Sequence, residues 1–446
     1  MLSDALPGCA IRTVDGRAFL FAPHLSEVFG LAPSVVGGDP AELSRARADL
    51  DALGRHGWLV PHRPRETVSE VRLLLTTQCN LACTYCNVEQ GTYGAPPAQM
   101  TFATARAAIE RLAPDAGRFD VVFFGGEPLL GWKVLVETAR WVRRRSPDVR
   151  LVVVTNGTLV DDDKAAILAE LEFEVMVSVD GDAATHDARR VDHRGRGSHA
   201  AVTAGLDALD RAGVRPTLLG THAPAGPGVA AQLGALGALG RRRLPVIVSA
   251  LEGDRDSTFA SESRAAFRSA ALAGDVPGAL VPFLRSLVRG AHGADASCPA
   301  GANTVTTPAG EIYPCHVAAD RKLDRIGALG EDFDETRAAV RDRYGARAAQ
   351  CTTCWANGLC SGGCPLRRSR GLGPTPGDCT WSQDRIEHAA YLADVLPFDR
   401  LDALVGDGAS ASDRSALRAG LMLREHFRYG AHALWPLSIP SFATAA

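Results

Sequence analysis

Cysteine is the residue type in this sequence that points most directly to chemistry. The chain has 446 residues and eleven cysteines. Three of them fall within residues 79–86 and seven within residues 298–379, while Cys9 stands alone. In a reducing compartment, clustered cysteines are more often ligands of a metal or an iron–sulfur cluster than disulfide partners. We therefore expect both groups to be metal or cluster sites, and Cys9 to be a bystander.

The composition is that of an ordinary cytoplasmic protein. Apolar residues make up 46%, charged residues 22%, and the formal net charge is -3, values that exclude the disordered and collagen-like classes. No apolar run reaches the roughly 18 residues that a membrane span needs, and the first residues lack the basic start and apolar stretch of a signal peptide. A near-neutral chain also has no overall field to attract nucleic acid. We expect a cytoplasmic protein that binds neither membranes nor nucleic acid.

The first group of cysteines has the spacing Cys-x3-Cys-x2-Cys, at Cys79, Cys83 and Cys86. Three thiolates at this spacing surround one centre and leave a fourth ligand position open. A structural zinc site normally has four protein ligands, whereas a [4Fe-4S] cluster held by thiolates tolerates an iron without a cysteine. The spacing favours a cluster with an open, reactive iron. A three-cysteine zinc site completed by a distant His is the alternative.

Repeated βα units are the elements that must position these cysteines. From about residue 68 to 252, short β-branched runs alternate with segments of helical apolar spacing, and beyond about residue 253 the strand alternation stops. This pattern is typical of a parallel sheet buried on both faces. Six units are fewer than the eight of a closed barrel, so the predicted fold is α/β, a partial (β/α)6 TIM barrel. Its strands are predicted at residues 71–75, 121–124, 151–154, 175–179, 217–219 and 246–248.

Polar and glycine-rich motifs follow the first four predicted strands directly. They are TTQCNLACTYC at residues 76–86, GGEP at 125–128, TNG at 155–157 and SVDG at 178–181. In βα architectures the active site forms at the carboxyl ends of the strands. We therefore expect these four motifs to converge on one pocket.

Together these motifs resemble those of the radical SAM superfamily, whose hallmark is Cys-x3-Cys-x-aromatic-Cys after the first strand of a partial barrel. The resemblance implies that the open iron binds the amino and carboxylate groups of S-adenosylmethionine. One electron from the cluster then cleaves this cofactor to a 5′-deoxyadenosyl radical, so that the cofactor supplies the difficult chemistry. The residues implied to bind S-adenosylmethionine are Tyr85, Gly125, Gly126, Glu127, Asn156, Ser178, Asp180 and Arg190.

Some of these residues also have simpler explanations. Arg190 ends a His-Asp-x-x-Arg pattern that resembles the peptide-modifying branch of the superfamily, and its guanidinium offers a planar fork to a carboxylate. It could equally form a surface ion pair. Ser178 and Asp180 could cap a helix, and Tyr85 could be a packed aromatic residue.

The second group of cysteines resembles the SPASM domain, which carries two auxiliary [4Fe-4S] clusters. Its pattern is Cys-x2-Cys-x5-Cys-x3-Cys with three outlying cysteines and a glycine, Gly310, five residues before one of them. The resemblance implies two ligand sets: Cys351, Cys354, Cys360 and Cys379 for one cluster, and Cys298, Cys315 and Cys364 for the other.

The Cys298, Cys315 and Cys364 set has only three evident ligands, because no eighth cysteine follows Cys298. His316, a water or a substrate thiolate are the candidates for the open position. Two overlapping zinc sites, with His316 as the eighth ligand, are the alternative for the whole group.

The regions outside the barrel divide the chain further. Two short strands are predicted around the Asp15-Gly16 turn and a helix at residues 40–59. This segment is a candidate for a shortened winged-helix element, in which an edge strand pairs with a leader peptide; a plain accessory domain is the alternative. The predicted domains are an N-terminal α+β domain at 1–66, a radical SAM partial barrel at 67–255, a cysteine-rich SPASM domain at 256–396 and a helical tail at 397–446.

Proteins that resemble this architecture usually act on peptides or proteins. Our main hypothesis is an oxidoreductase that matures ribosomally made (RiPP) peptides, forming a thioether or carbon–carbon crosslink after hydrogen abstraction. The alternative is an anaerobic sulfatase-maturating enzyme, which oxidises a Ser or Cys to formylglycine. That family carries an Asp directly after the cysteine corresponding to Cys315, where this chain has His316, and the difference counts against it. Candidate proton acceptors are Asp180, His316 and Tyr313.

The implied cofactors are three [4Fe-4S] clusters and S-adenosylmethionine. The implied partners are a precursor peptide or protein substrate and a reducing electron donor such as a ferredoxin or flavodoxin. A non-catalytic, zinc-binding scaffold for protein interaction is the alternative from another class. A tRNA- or base-modifying enzyme is disfavoured because the chain lacks a basic patch with interleaved aromatic residues.

Overall fold

A computed structural model describes residues 9–22, 27–55, 70–113, 119–223, 226–239, 246–250, 257–273, 276, 280–288, 298, 300, 303–357, 359–360, 362–406, 411–429 and 432–438. The chain folds into two compact units, each built from separate segments. The unit that we call the barrel unit consists of Arg65–Glu262 and Ala300–Gly345. The other, which we call the outer unit, consists of Met1–Pro64, Ser263–Pro299 and Ala346–Ala446. The domain bounds drawn from the sequence stay a prediction.

Strands of both units are numbered along the chain. They are β1 Ala10–Val14, β2 Arg17–Ala22, β3 Glu27–Leu31, β4 Glu70–Leu74, β5 Asp120–Phe124, β6 Arg150–Thr155, β7 Phe173–Ser178, β8 Thr217–His222, β9 Val246–Ala250, β10 Thr304–Thr306, β11 Glu311–Tyr313, β12 Gly327–Ala328 and β13 Leu434–Pro436.

Helices begin where the sequence offers a cap. Thr101 and Asp161 accept hydrogen bonds from the backbone of the first turn, and Thr375 forms a reciprocal capping box with Asp378. The helices are α1 Pro33–Val36, α2 Pro40–Arg55, α3 Phe102–Leu112, α4 Trp132–Arg145, α5 Asp162–Glu170, α6 Ala183–Asp187, α7 His199–Arg211, α8 Val229–Leu239, α9 Ser257–Leu272, α10 Val281–Val288, α11 His316–Asp320, α12 Asp334–Gly345, α13 Ala349–Thr352, α14 Pro365–Arg368, α15 Pro376–Val395, α16 Phe398–Gly406 and α17 Ala411–Tyr429.

One sheet organises the barrel unit. Its strand order is β12-β11-β10-β4-β5-β6-β7-β8-β9, and β4 to β9 are neighbours in chain order and parallel. Val71, Val121, Leu151 and Val175 are fully buried, as expected for strands covered on both faces. In the described residues β12 and β9 are free ends, so the sheet does not close. The predicted partial barrel of six βα units is confirmed.

The sheet continues beyond the six predicted strands. β10 pairs in parallel with β4, and β11 and β12 extend the sheet in antiparallel fashion. The sequence analysis, in which the strand alternation stops beyond about residue 253, did not predict these three short strands. Strands of two or three residues are too short to leave a period in the sequence.

The outer unit contains a four-stranded antiparallel sheet with the order β1-β2-β3-β13. The two strands predicted around Asp15-Gly16 pair with each other as β1 and β2. The fourth strand, β13, comes from the other end of the chain and pairs with β3. The predicted helix at 40–59 is α2, which packs Ala46, Leu50 and Leu53 onto this sheet; residues 56–59 lie outside the described part.

Candidate active site at the carboxyl edge of the barrel sheet

The loop after β4 carries Cys79, Cys83 and Cys86. Its start is anchored by Thr77, whose backbone N–H and hydroxyl donate to the carbonyls of Ala98 and Pro96. The thiol of Cys79 accepts a hydrogen bond from the backbone of Leu81 at 3.4 Å. Burial raises the pKa of Cys79 to about 12, and the neighbouring Cys83 and Cys86 add to that rise. The three thiols therefore lie near one another, and a bound cation would be needed to keep the thiol of Cys79 ionised.

Glycines allow the loop after β5 to approach this cysteine loop. The backbone N–H groups of Gly126 and Glu127 donate to the carbonyls of Thr76 and Gln78 at 3.0 and 2.8 Å. A Cβ atom at Gly126 would lie 2.1 Å from the Gln78 carbonyl oxygen and 3.0 Å from the Cys79 nitrogen. Only glycine fits here, because both neighbours are backbone atoms.

Glu127 ties the end of β5 to the end of β6. Its fully buried carboxylate accepts hydrogen bonds from the hydroxyl of Thr155 and the backbone of Asn156, each at 2.7 Å, and from the backbone of Leu129 at 3.0 Å. Burial raises the pKa of Glu127 to about 7, and the three hydrogen bonds oppose that rise. The side chain of Glu127 thus orders the edge of the sheet from within.

Asn156 joins the end of β6 to the cysteine loop. Its amide nitrogen donates to the side-chain oxygen of Asn80 at 2.9 Å and lies 3.9 Å from the sulfur of Cys79. Thr158 donates to the side-chain oxygen of Asn156 at 2.7 Å and accepts from the amide of Asn80. Asn80, which the sequence analysis did not single out, lies inside the Cys-x3-Cys spacing.

Asp180 is the centre of a buried network just beyond β7. Its carboxylate accepts hydrogen bonds from the hydroxyl of Tyr85 at 2.6 Å and the backbone of Thr221 at 2.9 Å. Arg190 completes the network with an ion pair to Asp180 at 3.1 Å and a guanidinium 5.3 Å from the ring of Tyr85. Asp180 and Arg190 are both buried, so the surface ion pair considered for Arg190 is not what forms.

His186 supports this network and was not predicted as a site residue. The backbone N–H of Asp180 donates to its Nδ1 at 3.3 Å, so Nε2 carries the proton and donates to the hydroxyl of Ser198 at 2.9 Å. Ser198 donates in turn to the carbonyl of Arg190 at 2.7 Å. Burial lowers the pKa of His186 to about 4, which keeps the ring neutral. The His-Asp-x-x-Arg pattern was the signal that could have identified it.

The remaining predicted site residues take different positions. Ser178 is the last residue of β7. The ring of His316, at the start of α11, lies 6.4 Å from that of Phe124, the residue directly before Gly125. Tyr313 is buried with Tyr93 in an apolar cluster, and its hydroxyl faces Glu311 at 3.4 Å. Of the two candidate proton acceptors outside the Asp180 network, His316 is therefore the one next to the glycine loop.

Four of the other cysteines surround one cavity in the outer unit. The cavity has a volume of about 40 Å³ and is partly open to solvent, and its lining includes Cys351, Cys354, Cys360 and Cys379. Burial raises the pKa of Cys379 to about 11, and the other three thiols raise it further. The backbone of Gly362 donates to the sulfur of Cys360 at 3.2 Å. Four thiols around one space suit a [4Fe-4S] cluster.

The last three cysteines are divided between the units. Cys315 belongs to the barrel unit, where its sulfur accepts a hydrogen bond from the backbone of Ala318 at 3.3 Å and caps α11. Cys298 and Cys364 belong to the outer unit. In the described part of the chain, no three His, Cys, Asp or Glu side chains are grouped like the ligands of a single metal ion. None of the described helices is long and apolar enough to cross a bilayer.

Residues 73–230 match the family model of the radical SAM superfamily. The matched residues include the cysteine loop, the glycine loop and the Asp180 network. Residues 73–230 therefore form a radical SAM domain, as the motifs predicted, and the chain is a radical SAM enzyme.

The chain is similar to a maturase over most of its length and to a cyclase over a shorter stretch. The chain is 28% identical over 319 residues to the serine-type anaerobic sulfatase-maturating enzyme of Klebsiella aerogenes, covering 64% of this chain and 77% of the relative. It is 36% identical over 186 residues to GTP 3′,8-cyclase 2 of Mycobacterium bovis, covering 40% of this chain and 49% of that relative. The solved structure of native anSMEcpe with bound AdoMet shares its fold, with a TM-score of 0.58 and 19% identity over 76% of this chain and 99% of that one.

These similarities favour the alternative hypothesis over the main one. The relative that the chain resembles over 64% of its length is a maturase that acts on sulfatases. Peptide crosslinking has no comparable support among these relatives.

Proposed function

We propose that this enzyme oxidises a Ser or Cys side chain of a peptide or protein substrate to formylglycine, as sulfatase maturation requires. The observation that carries the proposal is the cavity ringed by Cys351, Cys354, Cys360 and Cys379 in a chain that also has a radical SAM domain. An oxidation of this kind needs a second redox centre to take an electron from the substrate. The similarity to a serine-type maturase over 64% of the chain supports the choice of substrate.

At the barrel edge, Cys79, Cys83 and Cys86 are the proposed ligands of the first [4Fe-4S] cluster. When bound, this cluster and S-adenosylmethionine supply a 5′-deoxyadenosyl radical that takes one hydrogen atom from the substrate carbon. Gly125, Gly126, Asn156 and Ser178 line the proposed cofactor site, and Tyr85 and Arg190 are held there by Asp180. Glu127 contributes by ordering the ends of β5 and β6 rather than by a free charge.

His316 is the proposed proton acceptor. Oxidising a CH–OH or CH–SH group removes one hydrogen atom, one proton and one electron, and the base must take that proton. A Ser side chain then becomes the aldehyde directly, whereas a Cys side chain becomes a thioaldehyde that water hydrolyses to the aldehyde with release of hydrogen sulfide. Asp180 already accepts hydrogen bonds from Tyr85 and Thr221 and an ion pair from Arg190, and Tyr313 faces Glu311. His316 lies beside Phe124 at the glycine loop, and an imidazole accepts protons near neutral pH.

Two auxiliary [4Fe-4S] clusters are the proposed acceptors of the electron. Cys351, Cys354, Cys360 and Cys379 would hold one of them, and Cys298, Cys315 and Cys364 would hold the other with a fourth position open. When bound, they would supply the redox chemistry that takes the electron from the substrate, and a carrier of the ferredoxin or flavodoxin class would be their external partner and the reductant of the barrel cluster.

Peptide crosslinking remains the second candidate, since two features favour it. His316 stands where sulfatase maturases have an Asp, and the outer unit has a free edge strand, β1, that an extended leader peptide could join. Because β13 completes this sheet from the far end of the chain, binding of leader peptides must be measured with the full-length protein. Failure to bind any of them would argue against the recognition role.

Mass spectrometry of candidate peptides after anaerobic turnover tests the main proposal. The peptides are sulfatase segments that carry Ser or Cys at the modified position, matched with Ala versions. Oxidation to formylglycine yields an aldehyde that a hydrazide reagent captures, whereas a crosslink does not. Turnover without hydrazide capture would overturn the formylglycine proposal. Iron quantitation separates both candidates from a zinc scaffold, because three clusters hold about twelve irons per chain.

His316 offers a sharper test of the mechanism. Replacing His316 with Ala should lower product formation by about 100-fold while 5′-deoxyadenosine formation continues, since a general base typically contributes 10²–10⁴-fold. His316→Asp restores a proton acceptor and should recover most of the loss. Equal losses of product in both variants would refute the assignment.

A further inference from the structure

A short stretch of chain, of which the structure describes Cys360 and residues 362–364, connects the two proposed auxiliary ligand sets. Cys360 at its start lines the cavity, and Cys364 at its end is the residue directly before α14. Gly362 and Gly363 have φ angles of 75° and 79°, a backbone conformation that favours glycine. A Cβ atom at Gly362 would lie 3.3 Å from the sulfur of Cys351. The loop therefore passes against a thiol of one set and ends at a thiol of the other.

Arg368 holds this loop in place from the end of α14. Its Nη1 donates to the carbonyls of Gly362 and Gly363 at 3.1 and 3.0 Å, and its Nε donates to the carbonyl of Ala346 at 3.0 Å. Its backbone N–H donates to the carbonyl of Cys364 at 3.0 Å. Three carbonyls around a planar guanidinium fix the position of the charge.

This charge acts on thiols from both ligand sets. Burial and the neighbouring Arg347 lower the pKa of Arg368, and the thiols of Cys351, Cys364 and Cys298 act in the opposite direction. The influence is mutual, because Arg347 and Arg368 both oppose the rise that burial causes in the pKa of Cys351. Arg368 therefore lies near a cavity thiol and near Cys298 and Cys364 at the same time.

We propose that Arg368 is a positioned charge that raises the reduction potentials of both auxiliary clusters together. The proposal rests on the proposed function, in which these cysteines hold the two clusters. Reduction adds an electron to a cluster, and a fixed cation nearby stabilises the reduced state. A shared cation thereby makes both centres better acceptors of the electron that the substrate releases.

Gln383 on α15 is a residue that we expect to affect one cluster only, in contrast to Arg368. Its side-chain amide donates to the sulfur of Cys354 at 3.5 Å, and hydrogen bonds to cluster sulfurs also raise the potential. Because Gln383 lines the cavity and bonds one of its thiols, we expect it to act on the cavity cluster alone.

Redox titration followed by electron paramagnetic resonance tests the proposal on the full-length protein, reconstituted anaerobically with iron and sulfide. A background with Cys79→Ala, Cys83→Ala and Cys86→Ala leaves only the auxiliary signals. Arg368→Met should lower both midpoint potentials, and Gln383→Leu should lower one. Arg370→Met removes the same charge from an exposed position and should lower neither.

Unchanged potentials in Arg368→Met at full iron content, or a shift in one cluster alone, would overturn the proposal. If Arg368→Met binds less iron, Arg368→Lys decides, because it keeps the charge. If both auxiliary clusters of Arg368→Lys have midpoint potentials close to those of the background protein, the charge is the cause. If both potentials fall as far as the potential of the cavity cluster falls in Gln383→Leu, the proposal is refuted. Absence of auxiliary signals and of their iron from the background protein would instead refute the proposed function.

Discussion

The barrel edge and the cysteine cavity are two thiol sites with different surroundings. At the barrel edge the buried cation Arg190 has an anionic partner, Asp180, and Glu127 is satisfied by three hydrogen bonds. At the cavity, the guanidinium groups of Arg347 and Arg368 are bonded to backbone carbonyls. Thiolates that carry a cluster are anionic, so cations nearby favour its reduction.

This difference suggests separate tasks for the two sites. The barrel edge satisfies its buried charges with an ion pair and hydrogen bonds, which suits the positioning of a cofactor that must be bound and cleaved. The cavity has two guanidinium groups beside its thiols, which suits a centre that accepts an electron.

Removing one thiol from each site gives the largest expected contrast. Cys79→Ala should abolish 5′-deoxyadenosine formation, because the first cluster loses a ligand. Cys354→Ala should leave 5′-deoxyadenosine formation detectable but stop formation of the oxidised product. Chromatography of both products from the same anaerobic reaction checks this prediction. If Cys354→Ala also lost all 5′-deoxyadenosine while keeping the iron of the first cluster, the division of tasks would be wrong.

Adding a methyl group at Gly126, where the glycine loop approaches the cysteine loop, should have the next largest effect. In Gly126→Ala the new methyl group meets the carbonyl of Gln78 and the backbone of Cys79, so the cysteine loop must shift. Because misplacement by about 1 Å can lower a rate by 10²-fold, we expect 5′-deoxyadenosine formation to fall by about 100-fold. Gly195→Ala is the control: Gly195 has a φ of 76° but no atom within 4 Å of an added Cβ. Similar losses in both variants would contradict the idea that the close backbone approach at Gly126 positions the cysteine loop.

The barrel edge could be predicted from the sequence better than the cavity. All six barrel strands, and the motifs that follow them, were predicted because apolar runs bounded by glycine and polar residues have a strong local signature. What the sequence did not indicate was that Glu127 and Asp180 satisfy their charges internally. Hydrogen bonds such as that from Thr221 to Asp180 depend on strands distant in the chain.

At the cavity, the sequence indicated the cysteines but not their environment. The ligand sets came from the order of the cysteines, whereas Arg347, Arg368 and Gln383 carry no motif. Their importance follows from the path of the loop at residues 360–364, which short helices and two glycines with positive φ determine. In the same way, β13 could not be assigned to the N-terminal sheet, because its partner strand lies some four hundred residues away.

The buried ion pair at the barrel edge should contribute more to the free energy of unfolding than an exposed ion pair does. Asp180→Asn leaves Arg190 buried without its anionic partner, and losing one partner of such a pair destabilises a protein by about 3–5 kcal/mol. Asp192→Asn breaks an ion pair with Arg196, whose side chain is 70% exposed, and should destabilise the protein far less because water already screens an exposed pair. Urea denaturation of both variants checks the contrast. Equal destabilisation would mean that the Asp180 network adds nothing beyond a surface pair.

The smallest expected effect is a pH dependence that His186 adds at the barrel edge. The pKa of His186 is lowered to about 4 from its ordinary 6.5, mainly by burial. Between these values the unfolded chain binds a proton that the folded protein does not, so its contribution to stability is complete above pH 6.5 and is lost as the pH falls. His186→Asn removes this titration but keeps an acceptor for the backbone of Asp180. The stability difference between the wild type and this variant should therefore shrink by about 2 kcal/mol from pH 7 to pH 5, measured by urea denaturation of identically prepared proteins. A constant difference would mean that the ring of His186 titrates normally and does not support Asp180 as a neutral group.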